Sequence, residues 1–472
     1  MSHADEILDR AVAAARRYRT LDQAQTDAVV RAIYLRALDE RVRLAKLAHE
    51  ETGIGVWQHK VIKNVIASQL VYEDIKARHT VGVVREDEAA GIVEVAQPIG
   101  PILGFIPVTN PTSTAVFKAL IAAKTRNPLI VSPPQAARRS CVAAAEACYQ
   151  AALSAGAPEH CIQWLDRPIP ERLEEMMVDR RLALILATGT TSVVHKAQQS
   201  GTPVIGVGPG NVPVYIGATA DVPFAVRSIL ESKLFDNGAV CASEQAIVVK
   251  CEVAGQVESE FVARGGRFLT REEVEKVGRI AYDAGRRIMN PMVVGQSAQR
   301  IGEMAGISLP PGTVLLLARL EGAGPEHPLS AEILAPVLAF YVEPDFDSAI
   351  RRCTEITNFG GMGHTAVIYS NNDERIEYFS RVIDAGRILV NMPATQGALG
   401  GIYNTLSPSF TLSCGSGGRN ITMDNITIRH LLNIHRITRR RPNPRWMGFD
   451  AAGYLDPSVP AARIERQFNQ NF

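Results

Sequence analysis

The chain has 472 residues, 46% of them hydrophobic and 21% charged, an ordinary globular composition with enough apolar material for two or three cored domains. Lys plus Arg (50) and Asp plus Glu (49) cancel, so no net field draws the protein to nucleic acid or to an anionic membrane surface. Seven cysteines (Cys141, Cys148, Cys161, Cys241, Cys251, Cys353, Cys414) form no CxxC pair, which argues against a disulfide framework and for a reducing compartment.

The first twenty residues alternate charges with apolar residues at helical spacing and lack the apolar core of a signal peptide. No later run reaches the roughly 18 uncharged apolar residues of a membrane span. A cytoplasmic protein without a membrane partner is expected. Residues 1–78 predict helices broken at "ETGIG". "VGVVRE" and "IVEVAQPIG", on either side of Gly91, predict a hairpin arm at about 80–97. From "ILGFIPV" onward strands and helices alternate: "NPTSTAVFKALIAAKT", "NPLIVSP", "QAARRSCVAAAEACYQAALSAG", "LALILATG", "TTSVVHKAQQSG". This is the pattern of βαβ units around a parallel sheet. A second alternating series starts near 242, so two α/β layers are expected, with the break near "SKLFDNGAVCASEQAIVV". The tail from about 440, rich in Pro and polar residues, predicts extended surface chain.

Cys241 lies between a helix and a strand among small residues that let a substrate approach, unlike Cys251 or Cys353, which suit buried apolar runs. Packing and nucleophilic chemistry are equally compatible with that setting. Metal binding is not expected, because no second cysteine or histidine stands at ligand spacing. Asn110, where the strand "ILGFIPV" gives way to Pro111, suits a helix cap first and an oxyanion donor second. The glycine turns "LATGTT" and "GVGPGNVP" do not match the G-x-G-x-x-G dinucleotide fingerprint.

The ordered set "VTNPTS", "IVSPP", "ATGTT", "GVGPGNVPV", "FDNGAVCASEQ", "AEILAPVLAF", "NFGGMGHTAVIYS" and "SCGSGGRN" resembles the CoA-acylating branch of the aldehyde dehydrogenase superfamily over about residues 1–446. The resemblance implies an α/β fold: a Rossmann-like nucleotide-binding domain (1–235, with the arm), a catalytic domain (236–415) and a C-terminal interface segment and tail (416–472). It implies a homodimer or homotetramer. It makes Cys241 the nucleophile and gives Asn110 and the Cys241 N–H to the oxyanion. It places Ser132 and Pro133 beside the adenosine ribose, Gly189 and Thr190 near the pyrophosphate, and Glu332 on the nicotinamide ribose. His364, in the "GHT" that acylating relatives tend to share, orients substrate or CoA or moves a proton; a structural role is the alternative.

Hydrolytic relatives carry a water-activating glutamate in the motif reading "GVGPGNVP" here, and no carboxylate stands between Gly206 and Pro213. Thiolysis by coenzyme A is therefore expected over hydrolysis. A hydrolytic enzyme giving the free acid and a non-catalytic structural homologue are the alternatives. After "IVSPP" no acidic residue opposes a 2′-phosphate, and Arg138 and Arg139 follow, which leans to NADP over NAD unless both are solvated helix residues. Relatives acting on short apolar aldehydes commonly read "CGSWGGN" where this chain reads "SCGSGGRN". The missing aromatic at Gly417 and the cation Arg419 suit an anionic aldehyde such as sulfoacetaldehyde or succinate semialdehyde, unless Arg419 faces an oligomer contact. The basic stretch 428–445 lacks the interleaved aromatics of single-strand nucleic-acid binders and suits an edge strand or subunit contact.

Overall fold

The computed structural model describes residues 3–166, 169–443 and 451–470. They fall into two compact units, one of residues 1–78 and 98–432, the other of 79–97 and 433–472.

Two parallel sheets organise the first unit. The smaller has the spatial order Ile162–Trp164, Leu129–Ser132, Ile102–Phe105, Leu184–Thr188, Val204–Val207. Its three central strands are buried along their whole length, as a sheet covered on both faces requires. Helix Pro111–Lys124 is buried on every side and starts with proline at its first position, where the missing N–H costs nothing. The N-terminal helices Gln23–Asp39 and Arg41–Thr52 and the turn Ile66–Leu70 pack on it, with Val29, Ile33, Leu44 and Ile66 in one apolar core with Phe117 and Leu120.

The larger sheet has the order Gly266–Phe268, Leu315–Arg319, Val337–Glu343, Glu244–Lys250, Val212–Ile216, Gly363–Tyr369, Ala385–Val390, all parallel. Strand Val212–Ile216 belongs here, so the change of sheet falls between Val207 and Val212 and not beside Cys241. The sequence hides this step because the two strands are separated only by "GPGN" and read as one apolar run.

The second unit carries the antiparallel strands Gly82–Asp87 and Ile92–Pro98, as the hairpin pattern predicts. Strand Leu432–Thr438 joins on the other side of Ile92–Pro98, with Arg436 Nε 3.1 Å from Glu94 Oε1. Within the basic stretch, Ile428 and Leu431 enter the core of the first unit. The expectation of an extended tail is corrected: Ala451–Leu455 and Ala461–Gln470 are helices, the latter starting directly after Pro460 and rich in strong helix formers. Residues 444–450 of the tail lie outside the described residues. No helix among the described residues is long and apolar enough to cross a membrane.

Candidate active site

The two sheets supply the predicted site residues from opposite strand ends. Asn110, Ser132 with Pro133, and Gly189 with Thr190 follow the C-terminal ends of three adjacent strands of the smaller sheet, where open parallel sheets bind ligands. Cys241, Glu332 and His364 precede or open strands of the larger sheet.

Cys241 is partly exposed, three residues before strand Glu244–Lys250. Burial, with the Glu332 carboxylate and Cys414 beside it, pushes its thiol up to about 12, while Arg387 and its own N–H pull the other way. The resting residue is a thiol and must shed its proton as it attacks. Cys353 is buried as expected; Cys251, which the sequence also suited to burial, is exposed. All seven cysteines are free, and no group of three potential metal ligands occurs among the described residues.

Gly210 is pressed against this centre. A Cβ there would lie 2.1 Å from the Cys241 carbonyl oxygen and 3.0 Å from the His364 ring, so no side chain fits. Its N–H donates to Glu332 Oε1 at 2.8 Å. The "GPGN" loop thus lacks a carboxylate of its own and borrows one from a residue far along the chain. Burial raises the Glu332 carboxyl to about 7, opposed by the Gly210 N–H and Lys233.

His364 is fully buried, and its Nε2 has no hydrogen-bond partner among the described residues. Its Nδ1 lies 3.0 Å from Thr365 Oγ1, which accepts from Arg387 Nε at 3.2 Å. Burial and the Arg387 guanidinium hold the ring well below the usual histidine range, so it is neutral at physiological pH. Arg387, itself buried, also donates to the carbonyls of His364, Ser413 and Met423. Sequence reading gave Arg387 no role, because one arginine in "AGRILV" looks like any strand-edge cation.

Asn110 is the residue before helix Pro111–Lys124, yet its side chain makes no capping bond. Its Oδ1 accepts from Lys63 Nζ at 2.7 Å and its Nδ2 donates to Thr109 Oγ1 at 3.1 Å. The helix-cap reading favoured by local sequence is therefore overturned: the amide is held from outside its own helix.

Lys63 sits on helix Trp57–Val65 with Lys60 and Asn64, all three buried. Lys60 Nζ and Lys63 Nζ approach Asp236 Oδ2 at 2.9 and 2.5 Å, and Lys63 also donates to the Ala239 carbonyl at 3.0 Å. Asp236 Oδ1 accepts from the Val56 N–H at 2.7 Å. Burial works against the Asp236 charge, but Lys63 and Lys60 hold its carboxyl below the usual range. Burial lowers Lys63 to about 8, with Asp236 opposing. Lys60 and Lys63 went unnoticed in the sequence because "HKVIKN" reads as a solvated helix face.

The remaining predicted residues lie at the edges. Nothing stands within 4 Å of where a Gly189 Cβ would be, and Thr190, exposed, precedes helix Thr191–Gln199. That open glycine turn and helix start suit a dinucleotide pyrophosphate. Ser132 and Pro133 are buried at the strand end. Arg138 donates to the Asp166 carbonyl and Arg139 is exposed. No acidic residue stands in the segment after the strand, but Glu51, from helix Arg41–Thr52, accepts the Arg139 and Ser140 N–H groups, each at 2.7 Å, at the start of helix Arg138–Ser154. Arg419 is exposed in a left-handed turn, its guanidinium in no ion pair among the described residues. A Cβ at Gly417 would meet Asp384 Oδ2 at 2.6 Å and Met362 Cβ at 3.1 Å, so the expectation of extra room from the missing aromatic is corrected: those residues already fill the space.

With this geometry in hand, comparison with known proteins is informative. Residues 1–404 match the model of the aldehyde dehydrogenase family. The chain is 42% identical to the bifunctional aldehyde-alcohol dehydrogenase of Escherichia coli K12 over 93% of its own length, and spans about half (50%) of that relative. It is 37% identical to the sulfoacetaldehyde dehydrogenase (acylating) of Bilophila wadsworthia, covering 84% of this chain and 86% of the relative. The crystal structure of an acetylating aldehyde dehydrogenase from Geobacillus thermoglucosidasius superimposes with a TM-score of 0.90 at 41% identity, covering 93% of this chain and 97% of that one. A cysteine poised where the ends of two parallel sheets supply its neighbours, together with a family match over most of the length, leads to one conclusion: the chain belongs to the aldehyde dehydrogenase family.

Proposed function

We propose that the protein oxidises an aldehyde to its acyl-CoA thioester with NAD(P)+, through a covalent acyl group on Cys241. The observation that carries this reading is the "GPGN" loop. It has no carboxylate to activate water, and Gly208 faces open space through which a second thiol can approach. Two relatives named for acylating or acetylating activity support it.

In the first half-reaction Cys241 Sγ attacks the aldehyde carbon. A C–S bond forms, the carbonyl π pair moves to oxygen and the thiol proton leaves to solvent. Asn110 Nδ2 and the Cys241 N–H receive the oxyanion, a donor of this kind contributing about 3–4 kcal/mol. NAD(P)+, when bound, supplies the hydride acceptor that turns this adduct into a thioester. Glu332 would hold the nicotinamide ribose, and Gly189 and Thr190 the pyrophosphate. In the second half-reaction the coenzyme A thiol attacks the thioester carbonyl, the C–S bond to Cys241 breaks, and His364 Nε2 takes the incoming thiol's proton. Burial and Arg387 both disfavour a charged imidazole, so the proton passes on to the departing Cys241 sulfur and restores its resting thiol.

Hydrolysis has one observation in its favour, the Glu332 carboxylate docked on the same loop with a pKa near 7. Following cofactor reduction and product with and without coenzyme A decides between the two. Turnover to free acid that ignores coenzyme A defeats the acylating reading. For the substrate, the exposed Arg419, in no ion pair among the described residues, suits an anionic aldehyde such as sulfoacetaldehyde, and a panel against acetaldehyde and propionaldehyde tests it. For the cofactor, Glu51 at the start of helix Arg138–Ser154 opposes a 2′-phosphate and Arg138 is already engaged, so NAD is favoured over NADP.

A further inference from the structure

We infer that Lys63 is a positioning residue for the oxyanion site, fixing the Asn110 amide so that its N–H faces the reacting carbonyl; this rests on the acyl-transfer reading above. An asparagine amide is useful as an oxyanion donor only if its nitrogen, and not its oxygen, faces the developing charge. A free amide turns about its last torsion at little cost, and the oxygen presented to an oxyanion would repel it. An ammonium group only donates. By donating to Asn110 Oδ1 at 2.7 Å, Lys63 consumes the oxygen and leaves Nδ2 as the outward atom, with Thr109 Oγ1 as its one resting partner.

Lys63 also spans the two halves of the site. The same Nζ donates to the Ala239 carbonyl, two residues before Cys241, and pairs with Asp236 in the turn leading to it. Asp236 and Asn237 both have left-handed backbone angles (φ 53° and 52°), a sparsely populated pairing for residues other than glycine. The turn is held from outside: Asp236 Oδ1 accepts the Val56 N–H, the Asp236 N–H donates to His59 Nδ1 at 2.8 Å, and Asn237 Nδ2 donates to the Gly295 carbonyl at 2.9 Å. Gly55 permits this approach, since a Cβ there would lie 2.0 Å from Asp236 Oδ1. One ammonium therefore sets the distance between the amide of one sheet and the nucleophile of the other. Lys60 shares Asp236 and donates to the Thr109 carbonyl at 3.3 Å but does not bond the Asn110 side chain, which makes it the control.

The test is a double-mutant cycle of Lys63→Met and Asn110→Ala, with Lys60→Met as control; in either lysine variant the other lysine still pairs with Asp236. Two readouts are used. One is the rate of the first cofactor-reduction burst without coenzyme A. The other needs no cofactor: the aldehyde concentration that protects Cys241 from iodoacetamide, followed by mass spectrometry. Lys63→Met is expected to slow the burst by about 30–100-fold, in line with the cost of misplacing a catalytic group by about 1 Å. Protection should weaken in parallel, with cofactor KM within about twofold. In the Asn110→Ala background it should add less than about threefold. Lys60→Met should lower Tm similarly and keep the burst within about threefold. Equal burst losses for Lys60→Met and Lys63→Met, or an undiminished Lys63→Met effect in Asn110→Ala, would overturn the inference while leaving the oxyanion reading intact. An Asn110→Ala burst at the wild-type rate would overturn both.

Discussion

The two sheet ends that face the chemistry are built differently. At the C-terminal end of the smaller sheet the residues expected to meet the pyrophosphate are open, with empty space beside Gly189 and Thr190 exposed, while Asn110, held by Lys63, groups with the closed side. At the N-terminal end of the larger sheet every group is tightly held. Gly210 has no room for a methyl group, Glu332 is bound to it, and His364 is buried against Thr365 and Arg387. A ligand that arrives and leaves each turnover needs the first kind of surface. A nucleophile attacked and released within a fraction of an ångström of its position needs the second. Changes at the closed end should therefore cost rate, and changes at the open end affinity or selectivity.

The largest expected effect is Cys241→Ala, which should abolish aldehyde-dependent cofactor reduction with Tm within a few degrees of wild type; residual turnover would remove Cys241 from the chemistry. Next, Asn110→Ala should slow the acylation burst by about 10²–10³-fold. His364→Ala should leave that burst within a few fold and slow the coenzyme A-dependent step by about 10–100-fold, consistent with loss of a general base; an equal loss in both steps would make the residue structural. The smallest change belongs to an exposed turn outside both sheets. Arg419→Ala should shift kcat/KM away from anionic toward neutral aldehydes by about tenfold, the scale of one exposed charge-assisted contact, with the burst at saturating substrate unchanged.

Acid titration sharpens the comparison from another side. The Asp236 carboxyl is held below its unfolded value, so the stability it contributes is complete above about pH 3.9, the ordinary value of an aspartate, and is lost as pH falls through its lower folded value. Asp236→Asn strands two buried ammonium groups and should cost about 3–5 kcal/mol near neutrality. The Tm gap between this variant and wild type should close only below about pH 4. A gap that closes near pH 6 would mean that the lysines do not hold that charge.

The alternation of apolar strands with helices made the α/β architecture legible, and motif order picked out Cys241, because both signals are local. What escaped was every contact made across the chain. Lys63 reaching Asn110, Glu332 reaching Gly210 and Glu51 reaching the Arg139 N–H join residues whose local sequences read as solvated helix, strand approach and helix end. The misplaced change of sheet has a related cause: a crossover of four residues between two apolar strands leaves no mark in periodicity. Asn110 is the instructive case, since its local setting argues for a helix cap and a distant lysine takes its oxygen instead.

The three-stranded sheet of the second unit has a consequence for how the chain is made. Its first two strands, Gly82–Asp87 and Ile92–Pro98, leave the ribosome early, while the third, Leu432–Thr438, follows only after both parallel sheets have been synthesised. Until then the Ile92–Pro98 strand offers a row of unpaired backbone groups to any passing strand. Completion of this sheet must therefore wait until nearly the whole chain has been synthesised.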